Sequence, residues 1–213
     1  MFLRRLLCLT AVFCAVAMMG TAAGAQTINI DYNSGSTDFN GSADQVLYGA
    51  HSSGHPFDAT LSGGNITGVA DAYGQTRLTI SGGTVGGILY AFDSSVVIVN
   101  GGTFNVGATE YSASQMFVNG GIFGKTFGVN FFDNTQLTLN GNLTLVSSTP
   151  DGFLGGTDYT YTGTLVNNVT PATYIVNVNN GGRLTVAPEP SAWIYLTTSL
   201  FFGSAVMRRR RRR

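Results

Sequence analysis

Four carboxylates punctuate the middle of this chain: Asp71, Asp93, Glu110 and Asp133. Two such groups facing one sugar could cleave a glycosidic bond, provided they sit roughly 5–10 Å apart. Their spacing argues against it. Counted from the glycine pair that precedes each, the acids fall at different offsets: Asp71 at +8 from Gly63, Asp93 at +11 from Gly82, Glu110 at +9 from Gly101 and Asp133 at +13 from Gly120. Only Asp93 and Asp133 could share a column, with Ser112 between them. We read these acids as turn and surface carboxylates and expect no catalytic residue. A metal site is not expected either. His51 and His55 have the spacing of two zinc ligands on a helix, but Ser52-Ser53-Gly54 and Pro56 are loop residues, and the HExxH glutamate is absent. Nor does a clustered-aspartate calcium loop follow any glycine pair. No cofactor is expected.

The elements that would position these groups emerge from a repeat. The tetrads LSGG (61–64), ISGG (80–83), VNGG (99–102) and VNGG (118–121) recur at a constant 19-residue interval, and LNGN (139–142) follows after 21. Weaker copies are FNGS (39–42), YTGT (161–164) and NNGG (179–182). A fixed period near 20 is the mark of a solenoid. Before each tetrad, apolar residues alternate: Leu78 and Ile80, Val97 and Val99, Met116 and Val118, Leu137 and Leu139. That period of two predicts a strand with one buried face. The glycines supply a sharp corner. A second apolar column follows at Ile66, Val85, Phe104 and Phe123. Each unit thus reads as strand, corner, short strand and polar return.

The predicted fold is all-β: a parallel β-helix of about six to eight coils with a 19–22-residue repeat, on the order of 35–40 Å long. An antiparallel β-sandwich is the alternative, since turn signals about every ten residues also suit one. Residues 26–60 read as an N-terminal cap and first weak coil, 61–187 as the solenoid body, and 148–159 as a loop thrown out of the stack. Phe117, Tyr73, Tyr90, Tyr111, Tyr159 and Tyr161 are read as outward or loop aromatics. They suit either sugar stacking or stacking from coil to coil.

The two ends differ from this body. Residues 1–25 carry Arg4 and Arg5, an apolar run from Leu6 to Met19 and the small-residue stretch TAAGA. This is the pattern of a signal peptide, with Ala23 and Ala25 placed for cleavage before Gln26. Both cysteines, Cys8 and Cys14, lie within it, so the mature chain would hold no thiol. The formal net charge of zero also hides an asymmetry. Between residues 26 and 187 there are three bases, Arg77, Lys125 and Arg183, against ten acids, a net charge of −7. Such a body disfavours nucleic acid as a partner.

After Val186 come Pro188-Glu189-Pro190, seventeen uncharged residues from Ser191 to Met207, and the cluster Arg208, Arg209, Arg210, Arg211, Arg212 and Arg213. The proline motif breaks strand and helix alike. The apolar segment would form a membrane helix of about 25 Å. The arginines would hold its far end in the cytoplasm. An ordinary tail anchor would share these last two features. In order, spacing and terminal position, residues 188–213 resemble the PEP-CTERM sorting signal of exopolysaccharide-producing bacteria. The resemblance covers only the tail. It implies processing by an exosortase, an integral-membrane transpeptidase, after signal peptidase has acted at the other end. Polar Thr197, Thr198 and Ser199 suit a transient anchor.

The expectation is therefore an exported, non-catalytic surface or matrix protein of a Gram-negative-type bacterium, structural or adhesive, with exopolysaccharide as a partner. The alternatives are a polysaccharide-degrading enzyme and a polysaccharide-binding module on the same fold.

Overall fold

One 19-residue step of the sequence is one lap around a three-walled coil. The computed structural model describes residues 26–30, 37–49, 56–124, 134–150, 156–179 and 181–188. The first coil holds β1 (Thr27–Ile30), β2 (Asp38–Phe39) and β3 (Ser42–Ala43), and the second β4 (Gln45–Tyr48), β5 (Phe57–Leu61) and β6 (Asn65–Ile66). Next come β7 (Ala70–Ala72), β8 (Thr76–Ile80) and β9 (Thr84–Val85), then β10 (Ile88–Ala91), β11 (Val96–Val99) and β12 (Thr103–Phe104). The fifth lap is β13 (Gly107–Glu110), β14 (Gln115–Val118) and β15 (Ile122–Phe123). Each strand pairs in parallel with its counterpart one lap on. The first strands of each lap form sheet A, the second sheet B and the third sheet C.

The register shows why the repeat is strict. Leu61, Ile80, Val99 and Val118 stand in one column of sheet B, each fully buried, with Leu139 continuing it after the longer step. Ala59, Leu78, Val97, Met116 and Leu137 form the neighbouring inward column. Sheet C adds Ala43, Ile66, Val85, Phe104 and Phe123, with the last two rings stacked at 4.7 Å. Identical positions meet identical positions, so an apolar residue in one coil must find one in the next. The interior is a set of ladders rather than a single cluster.

The two glycines of the tetrad meet different constraints at the corner between sheets B and C, and from the third lap on both are tight. Gly64, Gly83, Gly102 and Gly121 have φ of 81°, 83°, 95° and 109°, a region closed to most side chains. The preceding glycine lies against the coil below. A Cβ on Gly82 would stand 2.5 Å from the Ser62 carbonyl oxygen, and one on Gly101 2.7 Å from that of Ser81.

At the fifth tetrad, LNGN, the second glycine is replaced by Asn142, and here the chain leaves the coil. The strand β16 (Gln136–Pro150) runs on past Leu139 instead of turning into sheet C. It forms an antiparallel ribbon with β17 (Thr157–Leu165), which pairs in turn with β18 (Ala172–Val178). The chain then returns as β19 (Arg183–Ala187), parallel to the start of β16, as one last rung of sheet B.

Several expectations are corrected by this. The described stack is a β-solenoid of about five turns, fewer than the six to eight expected, although β16 and β19 extend sheet B alone by two rungs. YTGT is not a corner, because Tyr161 to Thr164 lie within the antiparallel β17. NNGG precedes a sheet B strand rather than following one. The antiparallel sandwich is excluded by parallel pairing in all three walls. The polar return proves to be a third sheet. The described parts of 148–159 belong to the ribbon, in β16 and β17. The expected signal and membrane helices fall in segments outside the described residues. Among the described residues no helix is long and apolar enough to cross a membrane.

The ribbon also closes one corner column. Where a sixth corner would sit, the turn between β17 and β18 folds over Gly120 and Gly121. The side-chain amide of Asn168 accepts from the Gly121 N–H at 3.0 Å and donates to the Gly121 carbonyl at 2.9 Å. It takes the place of a missing strand. Beside it, the Asn167 N–H donates to the Asn119 carbonyl, and its side chain to that of Asn100. Asn168→Ala would leave two buried backbone groups without partners, a loss of about 1–3 kcal/mol. We expect a lower urea midpoint and faster hydrogen exchange at the Gly121 amide. Unchanged exchange there would show that the amide does not cap the column.

Candidate functional site

The chemistry-bearing side chains gather at the corner between sheets A and B. Three successive laps turn it with the same geometry. Thr76, Ser95 and Ser114 donate their N–H groups back to the carbonyls of Tyr73, Phe92 and Tyr111. The residue after each ring, Gly74, Asp93 or Ser112, is left-handed at φ of 64°, 60° and 62°. Aspartate tolerates that region better than most residues, which accounts for Asp93 in a turn. Its carboxylate accepts from the Gly74 N–H at 3.0 Å and so ties its own coil to the one below. The predicted column through Asp93 and Ser112 is present; Asp133, like His51 and His55, lies outside the described residues.

Outside the corner, the rings form a ladder. Tyr73 stacks on Phe92 at 4.8 Å and 7°, and Phe92 on Tyr111 at 5.1 Å and 6°. Tyr90 flanks it from sheet A, 5.6 Å from Phe92. Of the two uses expected for these aromatics, this geometry is stacking from coil to coil. Each ring spends its faces on its neighbours and leaves edges to solvent, so a sugar can lie only along the edges or on an end ring. Reading by residue type misses Phe92, although the repeat marks it: it lies one 19-residue period from both Tyr73 and Tyr111. On sheet B, Phe117 points outward between buried Met116 and Val118, as the alternation predicts. Tyr159 and Tyr161 lie on β17, half-buried, with their rings 6.5 Å apart.

Inside the corner, Thr76, Ser95, Ser114 and Thr135 form a column of buried hydroxyls. Thr76 donates to the Tyr48 carbonyl, whereas the hydroxyls of the other three have no hydrogen-bond partner. In the lap of Ser114, at the end of β13, stands Glu110. Read as a surface carboxylate, it is instead wholly buried, in the inward column of sheet A above Ala72 and Ala91. Neither carboxyl oxygen has a hydrogen-bond partner. Burial raises its pKa well above the usual 4.5 and so favours the protonated form.

Comparison of the chain with family models, curated proteins and solved structures found no match.

The remaining candidate, Asp71, is also buried, at 3% exposure, but on the opposite face of sheet A. It stands in the outward column between Leu47 and Tyr90. Gln45 donates to it at 2.8 Å, and the Tyr73 hydroxyl bonds to it. Burial, and next the negative charge of Asp71, raises the Tyr73 pKa. The backbone of sheet A therefore separates Asp71 from Glu110, and no sugar could lie between them. Asp93 faces a third direction at the turn. Among the described residues, no group of three His, Cys, Asp or Glu side chains could hold a metal. Of the sorting and processing residues, only Gln26 and Pro188 are described. Pro188 is exposed and follows β19 without a linker. The Gln26 backbone nitrogen donates to the Asp44 carboxylate at 2.7 Å, one lap on.

Proposed function

We propose that this chain is an exported, non-catalytic surface or matrix protein, delivered by a PEP-CTERM-type sorting signal and built to display a repetitive β-solenoid. The observation that carries the reading is the tail: Pro188-Glu189-Pro190, an apolar segment and six arginines, set directly after the last solenoid strand. The described acids support it. Asp71, Asp93 and Glu110 serve the stack or its interior, facing three different ways. Support for cleavage before Gln26 comes from Asp44. The new α-ammonium would lie against a carboxylate that already holds this nitrogen, and the Thr67 hydroxyl, then the Gln26 N–H, keep the Asp44 pKa below its usual value.

In this reading, signal peptidase and an exosortase are transient partners. The membrane is a stage of processing, and the working protein resides at the cell surface or in an exopolysaccharide matrix. Its role is structural or adhesive, with weak contacts repeated at every lap. Intact-mass measurement of the protein from surface and medium fractions tests it. We expect a species that begins at Gln26 and lacks Arg208–Arg213. A surface species that retains all six arginines would replace sorting with a plain tail anchor.

A further inference from the structure

Asparagine followed by glycine is a chemically labile pair, and the tetrads supply it repeatedly: Asn40-Gly41, Asn100-Gly101, Asn119-Gly120 and Asn140-Gly141. A fifth, Asn180-Gly181, begins outside the described residues. In such a pair the glycine's backbone nitrogen, once it has given its proton to water or hydroxide, can attack the asparagine Cγ. The new N–Cγ bond closes a cyclic imide, the Cγ–Nδ2 bond breaks and ammonia leaves. Water then opens the ring to aspartate or isoaspartate. Glycine permits the attack because no Cβ screens its nitrogen. Two restraints oppose it: a side chain held so that it cannot swing onto the next nitrogen, and an N–H already donating to a carbonyl.

The four described pairs are alike in sequence but not in place. Asn100, Asn119 and Asn140 end successive rungs of sheet B, and their amides form a ladder. Asn119 Nδ2 donates to Asn100 Oδ1 at 2.8 Å, and Asn140 Nδ2 donates to Asn119 Oδ1. At Asn119 the following Gly120 N–H also donates, to the Val99 carbonyl at 3.2 Å. All three asparagines are half-buried, and Gly120 and Gly141 are buried. Asn40, in the first lap, is exposed. The equivalent position one lap on is Ser62, whose hydroxyl and N–H both donate to Asp38, at 2.7 and 3.1 Å. Among the described residues, neither the Asn40 side chain nor the Gly41 N–H has a hydrogen-bond partner.

We infer that Asn40 is the site at which this body is chemically modified with age, while the ladder keeps Asn100, Asn119 and Asn140 as amides. The change falls on a tie between laps. The Gly41 carbonyl accepts from the Asn65 N–H at 2.8 Å, joining the first lap to the second. Aspartate at position 40 adds an anion close in sequence to Asp38, and isoaspartate adds an atom to the backbone at the corner. The first coil therefore loosens, while the laps above it keep their register.

The test holds the full-length folded chain, in detergent, at mildly alkaline pH and then digests it. Peptides around the four asparagines are compared for the mass gain that marks an amide turned to acid. Conversion at Asn40 should exceed that at Asn100, Asn119 and Asn140 severalfold. In urea, where the ladder is gone, the four rates should draw together. Asn119→Ala removes the central rung. Conversion at Asn100 should then rise severalfold, with that at Asn40 unchanged and a circular-dichroism spectrum like the parent's. Aged protein should also exchange the Asn65 amide faster. Conversion spread evenly over the four pairs in the folded chain would overturn the proposal, as would a ranking that urea leaves unaltered. Equal conversion at Asn100 in parent and variant would overturn the ladder's part in it.

Discussion

Gly83→Ala should destabilise the solenoid by about 3 kcal/mol or more, while Gly41→Ala should cost less than about 1 kcal/mol. Both glycines belong to the repeated tetrad, and propensity alone would rank them together. Their surroundings differ. At Gly83, φ is 83° and a new Cβ would stand 2.5 Å from the Gly63 carbonyl oxygen. The left-handed conformation alone costs an alanine roughly 1–2 kcal/mol. The clash is with backbone of the coil below, which is bonded to the coil of Gly83 itself: the Gly64 carbonyl accepts from the Thr84 N–H at 3.0 Å. Relief therefore means parting two laps. At Gly41, in the first lap, the nearest contact for a Cβ is the Phe39 ring at 3.5 Å, an ordinary packing distance. For a chain of this size, about 3 kcal/mol is a fall in Tm of roughly 6–12 °C. Equal melting temperatures for the two variants would show that the second glycine is not a steric requirement of stacking.

The second large effect is a pH dependence with an unusual sign. Glu110 is raised above its ordinary 4.5 by burial, so the folded chain keeps a proton that the unfolded chain releases. Below the ordinary value both states are protonated and nothing is lost. As pH rises beyond it, stability falls, by up to about 1.4 kcal/mol for each pH unit, until the folded-state pKa is passed. Glu110→Gln removes the titration while keeping the shape. We expect the variant to match the parent below the ordinary 4.5 and to exceed it above that pH, as read by urea midpoints on either side. Asp38 and Asp44 act elsewhere. Hydrogen bonds, foremost from the Ser62 hydroxyl to Asp38 and from the Thr67 hydroxyl to Asp44, hold their pKa values below the usual 3.8. What they contribute is present above 3.8 and is lost on the acid side, so the two windows do not overlap. Parallel curves for parent and Glu110→Gln would mean that Glu110 is not the buried acid described.

How much of this was legible depended on whether a wall announced itself by alternation. Sheets B and C did, because their inward positions are Leu, Ile, Val, Met and Phe against polar neighbours. Sheet A did not. Its inward columns mix Val46, Tyr48 and Leu89 with Ala70, Ala72, Ala91, Ala108 and Glu110, and the small residues leave no period-two signal that recurs from lap to lap. Hence the third wall reads as a return, and Glu110 as a surface acid. The period itself holds the correction, since Glu110 lies one full repeat beyond Ala91 and two beyond Ala72. Two weak copies of the tetrad mislead for the opposite reason. A Thr-Gly-Thr step within a strand and an Asn-Gly-Gly turn before one share residues with the corner, and only their broken spacing, steps of 22 and 18 residues rather than 19, sets them apart. At the site, the rings Tyr73 and Tyr111 are found by type, but their joining through Phe92 needs the register. The tail's motif is linear and needs no partner in space, so the sorting proposal rests on the sequence alone.

The replacement of the second corner glycine by Asn142 has a consequence for size. From the second lap to the fifth the corner is made to the same pattern, and each strand pairs only with those of the laps before and after it. Throughout those laps the turn into sheet C carries a second glycine, and the stack ends where Asn142 stands in its place. Duplication of any 19-residue stretch between Leu61 and Val118 would lengthen the body by a single strand spacing, about 4.8 Å, and leave the ribbon that ends it intact. The length of the stack is then a quantity that a gene can change in steps, without redesign of either end.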